Sequence, residues 1–472
     1  MFKAAVSGLA AILERTSWVR ELAGILPLSA LIEFIDVPQK LHILELSGAV
    51  PLWSWPVTPA GSRLLLSNNH LQQSCCLDAF GSSVGWIGLD GRFGDQYTVI
   101  SPETIRLCLS SKRPRTIENS HKNMAGKNLR VQNLEIVHVC RLEGQNPREP
   151  SEFWLYHLFL DPWWMYSRGY LAVSVFGWIA LLGTIIMSCI LQCYLALAFL
   201  VIVPLTGSVV LLIHGSRPRG LLIEHNSPYN RLIVTAEHLN ATNWIVFYGE
   251  STIVNSLLNR ALELRGPKIP GGYFGLLRKF LRISILGQWA LALGAASTKD
   301  WNAYFISFWI AFCIFSHAYL VPPRLEAKDW MKTCAHIQLE RYQTQLSSRR
   351  ALLNTIMALN PDTISRDADT QQDDRTNLYE GAMKWIDRIL QSGPSRSRWE
   401  EATRKAMNEA ERLSAEEMTS GNFLSAEWKT TCTHQGREEY WSEFIPEGIY
   451  MAAKIKEDTK LPGRMKTVAA AS

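Results

Sequence analysis

Two stretches of this chain carry almost no charge. From Gly169 to Ser216 there is no Asp, Glu, Lys or Arg over 48 residues. A single helix of that length would run to about 70 Å, against a hydrocarbon core of about 30 Å, so the run must fold back on itself. The pattern predicts a helix over Tyr170–Leu191, a tight turn near Gln192-Cys193, and a helix over Tyr194–Ile213 kinked at Pro204. The second stretch, Ile283–Thr298 and Trp301–Pro323, is broken only by Lys299-Asp300 and predicts another pair. Its first member is short for a span. Extending it back through Leu281 and Phe280 leaves Lys279 and Arg282 to reach the interface on long side chains. The fold expected is a membrane α-helical protein, with about four transmembrane helices in two hairpins, a cytosolic β-rich domain and a cytosolic α-helical C-terminal region.

The remaining segments follow from periodicity and turn residues. Residues 1–36 read as an amphipathic or irregular N-terminus. Residues 37–150 read as the β-rich domain, with strands at Lys40–Leu46 and Asn128–Cys140 and a hairpin turn at Asp90-Gly91. Residues 151–168 hold Phe153, Trp154, Tyr156, Phe159, Trp163, Trp164 and Tyr166, an interfacial aromatic segment ahead of hairpin 1 at 169–213. The 214–282 loop predicts a meander of Leu221–Ile223, Leu232–Ala236 and Trp244–Tyr248, then a helix capped by Ser251 or Thr252. Hairpin 2 occupies 283–321. Residues 322–420 predict helices: one or two over Lys328–Leu359, one with Leu378, Ala382, Trp385 and Ile389 on a face, and one opened by a Ser397–Glu400 capping box. Residues 421–472 are weakly patterned and predict a weakly structured tail.

Composition sharpens this picture. Charged residues make up 19%, below the roughly 25% of soluble globular chains, yet mean hydropathy is −0.01. The deficit is therefore local, and it is the two hairpins. Thirteen Lys and Arg lie within about 20 residues of one set of span ends, and Lys299 alone lies on the other. The positive-inside rule then predicts a multi-pass protein with both termini and the 214–282 loop in the cytosol, in an endomembrane or the plasma membrane. The basic residues nearest the span ends, Arg217, Arg219, Arg278, Lys279 and Arg282, are candidates for contact with anionic headgroups. A net charge of +5 makes no case for nucleic acid. The partners expected are the lipid bilayer and a protein partner or a second copy of the chain.

Candidate chemistry is sparse. Nine cysteines, at 75, 76, 108, 140, 189, 193, 313, 334 and 432, include no C-x-x-C pair, so they predict reduced thiols and not a disulfide framework or a zinc motif. Gly81-Ser82-Ser83-Val84-Gly85 fits G-x-S-x-G, but residues 86–91 do not read as the helix that a nucleophile elbow requires. Glu224-His225 and Glu237-His238 are carboxylate–imidazole pairs whose members point to opposite faces of a strand. Asp373-Asp374 lies in a linker without supporting acids, and His157 and Asp161 are one residue short of the H-x4-D pattern of membrane acyltransferases. No nucleotide-binding glycine pattern occurs. The sequence thus predicts no catalytic, cofactor or metal residue. Polar groups inside the spans are Gln192, Gln288 and His317, with no chain of ionisable residues across the bilayer. Asn240-Ala241-Thr242 is a glycosylation sequon that a cytosolic loop would leave unmodified.

Four strings, Arg63–Ser74, Gly91–Arg106, Ala236–Asn255 and Gln288–Asn302, resemble multi-pass membrane proteins of filamentous fungi, over about Asp36 to Asn360. The resemblance implies a membrane location and brings no activity and no site residues. The expected role is an integral membrane scaffold or interaction protein with a cytosolic working surface. Two alternatives stay open: a membrane-interface enzyme or accessory factor acting on a lipid or apolar metabolite, and an oligomeric transporter or channel subunit.

Overall fold

The computed structural model describes residues 8, 11, 15–30, 37–48, 51–55, 75, 77–78, 85–121, 129–142, 168–215, 218–222, 226–264, 271–363, 382–411, 413–418, 423–425, 428, 432–434 and 437–462. The main helices, in chain order, are α1 (Ser17–Ala30), α2 (Val37–Ser47), α3 (Pro102–Ser110), α4 (Arg168–Ile190), α5 (Tyr194–Val210), α6 (Ser251–Asn259), α7 (Gly271–Thr298), α8 (Trp301–Phe315), α9 (Pro323–Thr333), α10 (Arg349–Leu359), α11 (Pro394–Ala410) and α12 (Ile445–Thr459). The strands are β1 (Ile87–Asp90), β2 (Gln96–Thr98), β3 (Arg115–Thr116), β4 (Gln132–Arg141), β5 (Arg219–Gly220), β6 (Asn230–Ala236), β7 (Asn243–Glu250), β8 (Glu263–Leu264) and β9 (Ile337–Leu346). They divide into two compact units, each assembled from three separate stretches of chain.

The first unit comprises 1–81, 144–220 and 262–336. Its frame is four helices long and apolar enough to cross a membrane: 172–190, 194–215, 273–298 and 301–320. Both hairpins appear where charge is missing. Positive φ at Gln192 and at Lys299 marks their turns. The turns are tied together by Asn302, whose side-chain oxygen accepts from the Ala196 N–H at 3.0 Å and satisfies an orphan donor of α5. At their other ends α5 and α8 each relax into a π-helical turn, Leu211–Gly215 and Ser316–Leu320, and each turn holds a buried histidine, His214 or His317. Between the helices, Gln288 Nε2 donates to Thr206 Oγ1 at 2.8 Å, which pairs the polar group that the second hairpin carries inward.

Two elements that charge patterning does not reveal pack on this frame. The short turn Leu52–Ser54 puts Trp53 among the helices, edge-on to Trp309 at 6.3 Å and beside Phe312 at 5.7 Å. Gly177 makes this possible, because a Cβ there would stand 2.0 Å from the indole. Residues 51–55 therefore belong to the helical unit and not to a β-rich domain. Helix α1 meets the turn between α7 and α8: Lys299 Nζ pairs with Glu21 at 2.8 Å, and the Tyr304 hydroxyl donates to the Val19 carbonyl at 2.6 Å. Helix α2 lies at the opposite ends of the same helices, where Lys40 Nζ donates to Val321 O at 2.5 Å and Glu45 faces His214 at 3.5 Å. Lys40–Leu46, expected as a strand, is thus helical. Its apolar and polar residues are both buried, so the stretch shows no amphipathic period to read.

The second unit comprises 82–143, 221–261 and 337–472. Its seven-stranded mixed sheet runs β2-β1-β6-β7-β4-β9-β3. The hairpin expected at Asp90-Gly91 is present as β1–β2, and β6–β7 is the antiparallel pair expected from the 214–282 loop. Strand β4 is the joint: parallel to β7 on one side, antiparallel to β9 on the other over Gln132–Arg141. Strand β9 corrects the helical expectation for Lys328–Leu359. Along Ile337–Leu346, Ile337 and Leu339 are buried on one face of the sheet and Tyr342, Thr344 and Leu346 on the other, and the left-handed φ of 52° at His336 ends the preceding helical path. Helix α11 starts at Pro394 with Gly393 as its cap, so Ser397 and Glu400 lie within it, and Glu400 pairs with Arg396 at 2.6 Å instead of closing a capping box.

The 421–472 segment is likewise more ordered than its pattern predicts. Helix α12 packs along α10, which is buried from Ala351 to Leu359. Gly448 sets their approach, since a Cβ there would stand 2.4 Å from that of Asn354 and 2.9 Å from Ala351 O. Glu447 accepts from Ser347 N at 2.9 Å and from Asn119 Nδ2 at 2.7 Å, tying α12 to the segments that follow β9 and β3 at one end of the sheet. Trp385, Trp399 and Trp441 fill the core beneath.

Candidate functional site

In the second unit, the β6–β7 turn and the start of α10 border a cleft of about 600 Å³ lined by Leu129, Arg130, Gln132, Asn240, Ala241, Ser348, Arg349, Arg350, Leu390, Tyr440 and Phe444. Ser348 caps α10, its hydroxyl accepting from Ala351 N at 3.2 Å. The next two residues, Arg349 and Arg350, put two guanidinium groups in the first turn of a helix, where the backbone already presents positive charge. That arrangement works against the helix dipole and favours an anion.

The guanidinium groups are held from the side. Arg349 donates to Asn240 Oδ1 at 2.8 Å and to the Leu239 carbonyl, and lies 5.8 Å from the Trp244 ring. Arg350 lies 5.1 Å over Trp399. Arg349 Nε and Arg350 Nη1 are buried without a hydrogen-bond partner. Among the described residues no carboxylate pairs with Arg130, Arg349 or Arg350, whereas Arg92, Arg141, Arg231, Arg341, Arg396 and Arg398 of the same unit all have one. Burial, with Arg130 and Arg350 close by, holds the Arg349 pKa below the ordinary arginine value. Three converging arginines with donors to spare match the planar, multidentate recognition of phosphate.

A second polar cluster lies in the first unit. His42 of α2, Cys75 and Asp78 bring an imidazole nitrogen, a thiol sulfur and a carboxylate oxygen within 4.8 Å of one another. Burial pushes the Cys75 thiol well up, Glu45 adds to this, and Arg219 opposes it. As a protonated, enclosed thiol, Cys75 lacks the electropositive setting of an activated cysteine nucleophile. Glu326 of α9 is also buried, with neither carboxylate oxygen hydrogen-bonded, and burial raises its pKa to about 8.

The residues singled out from the sequence fare differently. Arg219 is buried, its guanidinium acting on Cys75 and its carbonyl accepting from Trp330 Nε1 at 2.8 Å. Lys279 and Arg282 are exposed, and Arg278 is half-buried, lying 4.9 Å from the Phe274 ring. Arg217 falls outside the described residues, as do Ser83, Glu224, His225, Asp373 and Asp374, and the aromatic segment 151–167. His238 serves the β6–β7 turn, Nδ1 accepting from Asn240 N at 3.2 Å, and forms no acid–base pair with Glu237. His317 Nε2 donates to Ser54 O at 2.7 Å.

Neither cluster is local in sequence. Arg130 precedes β4, Asn240 lies in the β6–β7 turn and Arg349 opens α10, and His42 is 33 residues from Cys75. The one sequence signal for the cleft is Arg349-Arg350 directly after Ser347-Ser348, where the pattern allows a break between two helices. No family model, curated protein or solved structure matches the chain.

Proposed function

We propose that this chain is an integral membrane protein whose four apolar helices cross the bilayer and whose sheet-bearing unit works in the cytosol as an interaction surface, taking an anionic, phosphate-bearing ligand in the arginine cleft. The observation that carries the ligand class is the convergence of Arg130, Arg349 and Arg350 on one cleft without a carboxylate among the described residues. Membrane insertion is supported by the length and composition of the four helices and by the one-sided basic residues at their ends. Lys279 and Arg282, exposed at the start of the third span with Arg278 beside them, suit an anionic leaflet.

The position of α1 refines the orientation. Val19 and Glu21 lie at the turn between α7 and α8, and Lys40 and Glu45 lie at the opposite helix ends. Four spans alone leave both termini in the cytosol; the placement of Glu21 and Lys40 at opposite helix ends supports one further passage between them, and with it we propose the N-terminal helix on the non-cytosolic face and the C-terminus in the cytosol.

Titration of the purified protein with pyrophosphate, and flotation with vesicles containing a phosphoinositide, distinguishes a soluble phosphate compound from a headgroup. Either should bind, and Arg349→Ala with Arg350→Ala should weaken binding by at least about tenfold, in line with about 1.5–3 kcal/mol per charged hydrogen bond. Binding of neither, or unchanged binding by the folded double variant, removes the proposal. A second reading, a membrane-interface enzyme acting on a lipid or apolar metabolite, is favoured by the convergence of His42, Cys75 and Asp78.

A further inference from the structure

The cluster around α2 gathers three ligand types that zinc takes, an imidazole, a thiol and a carboxylate. His42 is on α2 and wholly buried, Cys75 is buried, and Asp78 is half-buried. Their donor atoms lie within 4.8 Å of one another. Around a tetrahedral zinc, with bonds of about 2.0–2.3 Å, ligand atoms stand roughly 3.5 Å apart, so modest side-chain rotation brings these three into coordination.

The surroundings have the right charge. Glu45 lies one helical turn from His42 on α2, and both Glu45 and Asp78 act on Cys75 alongside the Arg219 guanidinium. With Cys75 as a thiolate, it, Glu45 and Asp78 make three anionic groups around one guanidinium. A divalent ion suits that balance, because coordination stabilises a thiolate that burial alone disfavours.

We infer that His42, Cys75 and Asp78 form a zinc-binding site at the end of the helical unit where α2 packs. One thiolate, one imidazole and one carboxylate form a borderline-soft set that suits zinc and disfavours magnesium and calcium. Three protein donors leave a fourth position, open on the side of Asp78, the least buried of the three. Binding releases the thiol proton to solvent and changes no oxidation state. The inference is independent of the arginine cleft and of which face of a membrane the cluster occupies.

The test is metal content and cobalt spectroscopy of the full-length protein in detergent. Protein freed of metal by chelation and dialysed against zinc chloride should retain about one zinc per chain after gel filtration. Cobalt in its place should give the intense visible bands of a tetrahedral site and a thiolate-to-cobalt charge-transfer band. Cys75→Ser should abolish the charge-transfer band and weaken zinc retention at least about tenfold, and Cys432→Ser, whose thiol lies in the other unit, should leave both unchanged. His42→Gln should weaken zinc retention similarly. Folded wild-type protein that takes up neither metal overturns the inference, as does a charge-transfer band that survives in Cys75→Ser. Should both ligand variants misfold, the wild-type cobalt spectrum decides alone.

Discussion

The two units place the same residue types in opposite ways. On α4, Val175, Phe176, Ile179, Leu182, Ile186 and Met187 point outward, and only 17% of the apolar window is buried. On α10 every residue from Ala351 to Leu359 is buried. Both units bury polar groups, with different partners. The helical unit encloses Lys40, His42, Glu45, Thr206, Gln288 and Glu326, whereas the sheet unit buries Asp90, Glu250 and Asp362 each against an arginine, Arg231, Arg141 and Arg92. A water-exposed protein rarely leaves so wide an apolar surface uncovered. Two solvents, hydrocarbon around the helices and water around the sheet, would produce this difference, and the proposed function requires them.

The sharpest way to break this contrast is a charge on each surface. Ile179→Arg, at the outward face of α4, should cost about 2.5–3.5 kcal/mol of insertion, read as the inserted fraction in microsomes. Gln343→Arg on exposed β9 should shift stability by less than about 0.5 kcal/mol. Equal tolerance of both would remove the two-solvent account. Two glycines of α4 refine the comparison. Gly177→Ala collides with Trp53 and should cost about 1–3 kcal/mol in thermal unfolding, whereas Gly183→Ala meets nothing within 4 Å and should be neutral or slightly stabilising. Matching effects would mean that Trp53 is not seated between the helices.

Glu326 supplies a pH test. Burial raises its pKa from 4.5 to about 8, so the folded state binds a proton that the unfolded state has lost at neutral pH. Its contribution is fully present below about pH 4.5 and is lost as pH rises through about 8. Unfolding temperature should therefore fall over that window, and Glu326→Gln should flatten the fall. An unchanged slope in that variant would place the titration elsewhere. The smallest effect expected is at the surface. Neutralising Lys279 and Arg282 should weaken association with anionic vesicles by about 1 kcal/mol per residue, with Arg260, which belongs to the sheet-bearing unit, as a control. Equal losses from Arg260 would point to nonspecific charge.

Much of this architecture is legible in sequence, for definable reasons. Absence of charge over 48 residues has few outcomes, and both hairpins form where it predicts. The β1–β2 and β6–β7 hairpins follow from turn residues. The elements that escape such reading are non-local or buried on all sides. Strand β9 passes for helix because its buried side changes along the strand, from the face of Ile337 and Leu339 to that of Tyr342, Thr344 and Leu346, with Arg341 at the switch. Arg341 is accommodated by Glu135 and by the carbonyls of Leu109 and Lys112, partners no local pattern announces. Helix α2 carries its polar residues inward, which conceals its period. The candidate sites are the least legible, since Arg130 with Arg349, and His42 with Cys75, meet only after distant segments fold together.

The central claim is that the chain crosses a bilayer at the four helices and once more between Glu21 and Lys40, which leaves the N-terminal helix and the C-terminus on opposite faces. Epitopes fused before Met1 and after Ser472 can be probed with external protease on sealed microsomes, while the Asn240 sequon is scored for glycosylation. The account predicts a protected N-terminal epitope, a digested C-terminal epitope and an unmodified Asn240, whose side chain lies in the arginine cleft. A glycosylated Asn240 with a protected C-terminal epitope would contradict it, and so would digestion of both epitopes.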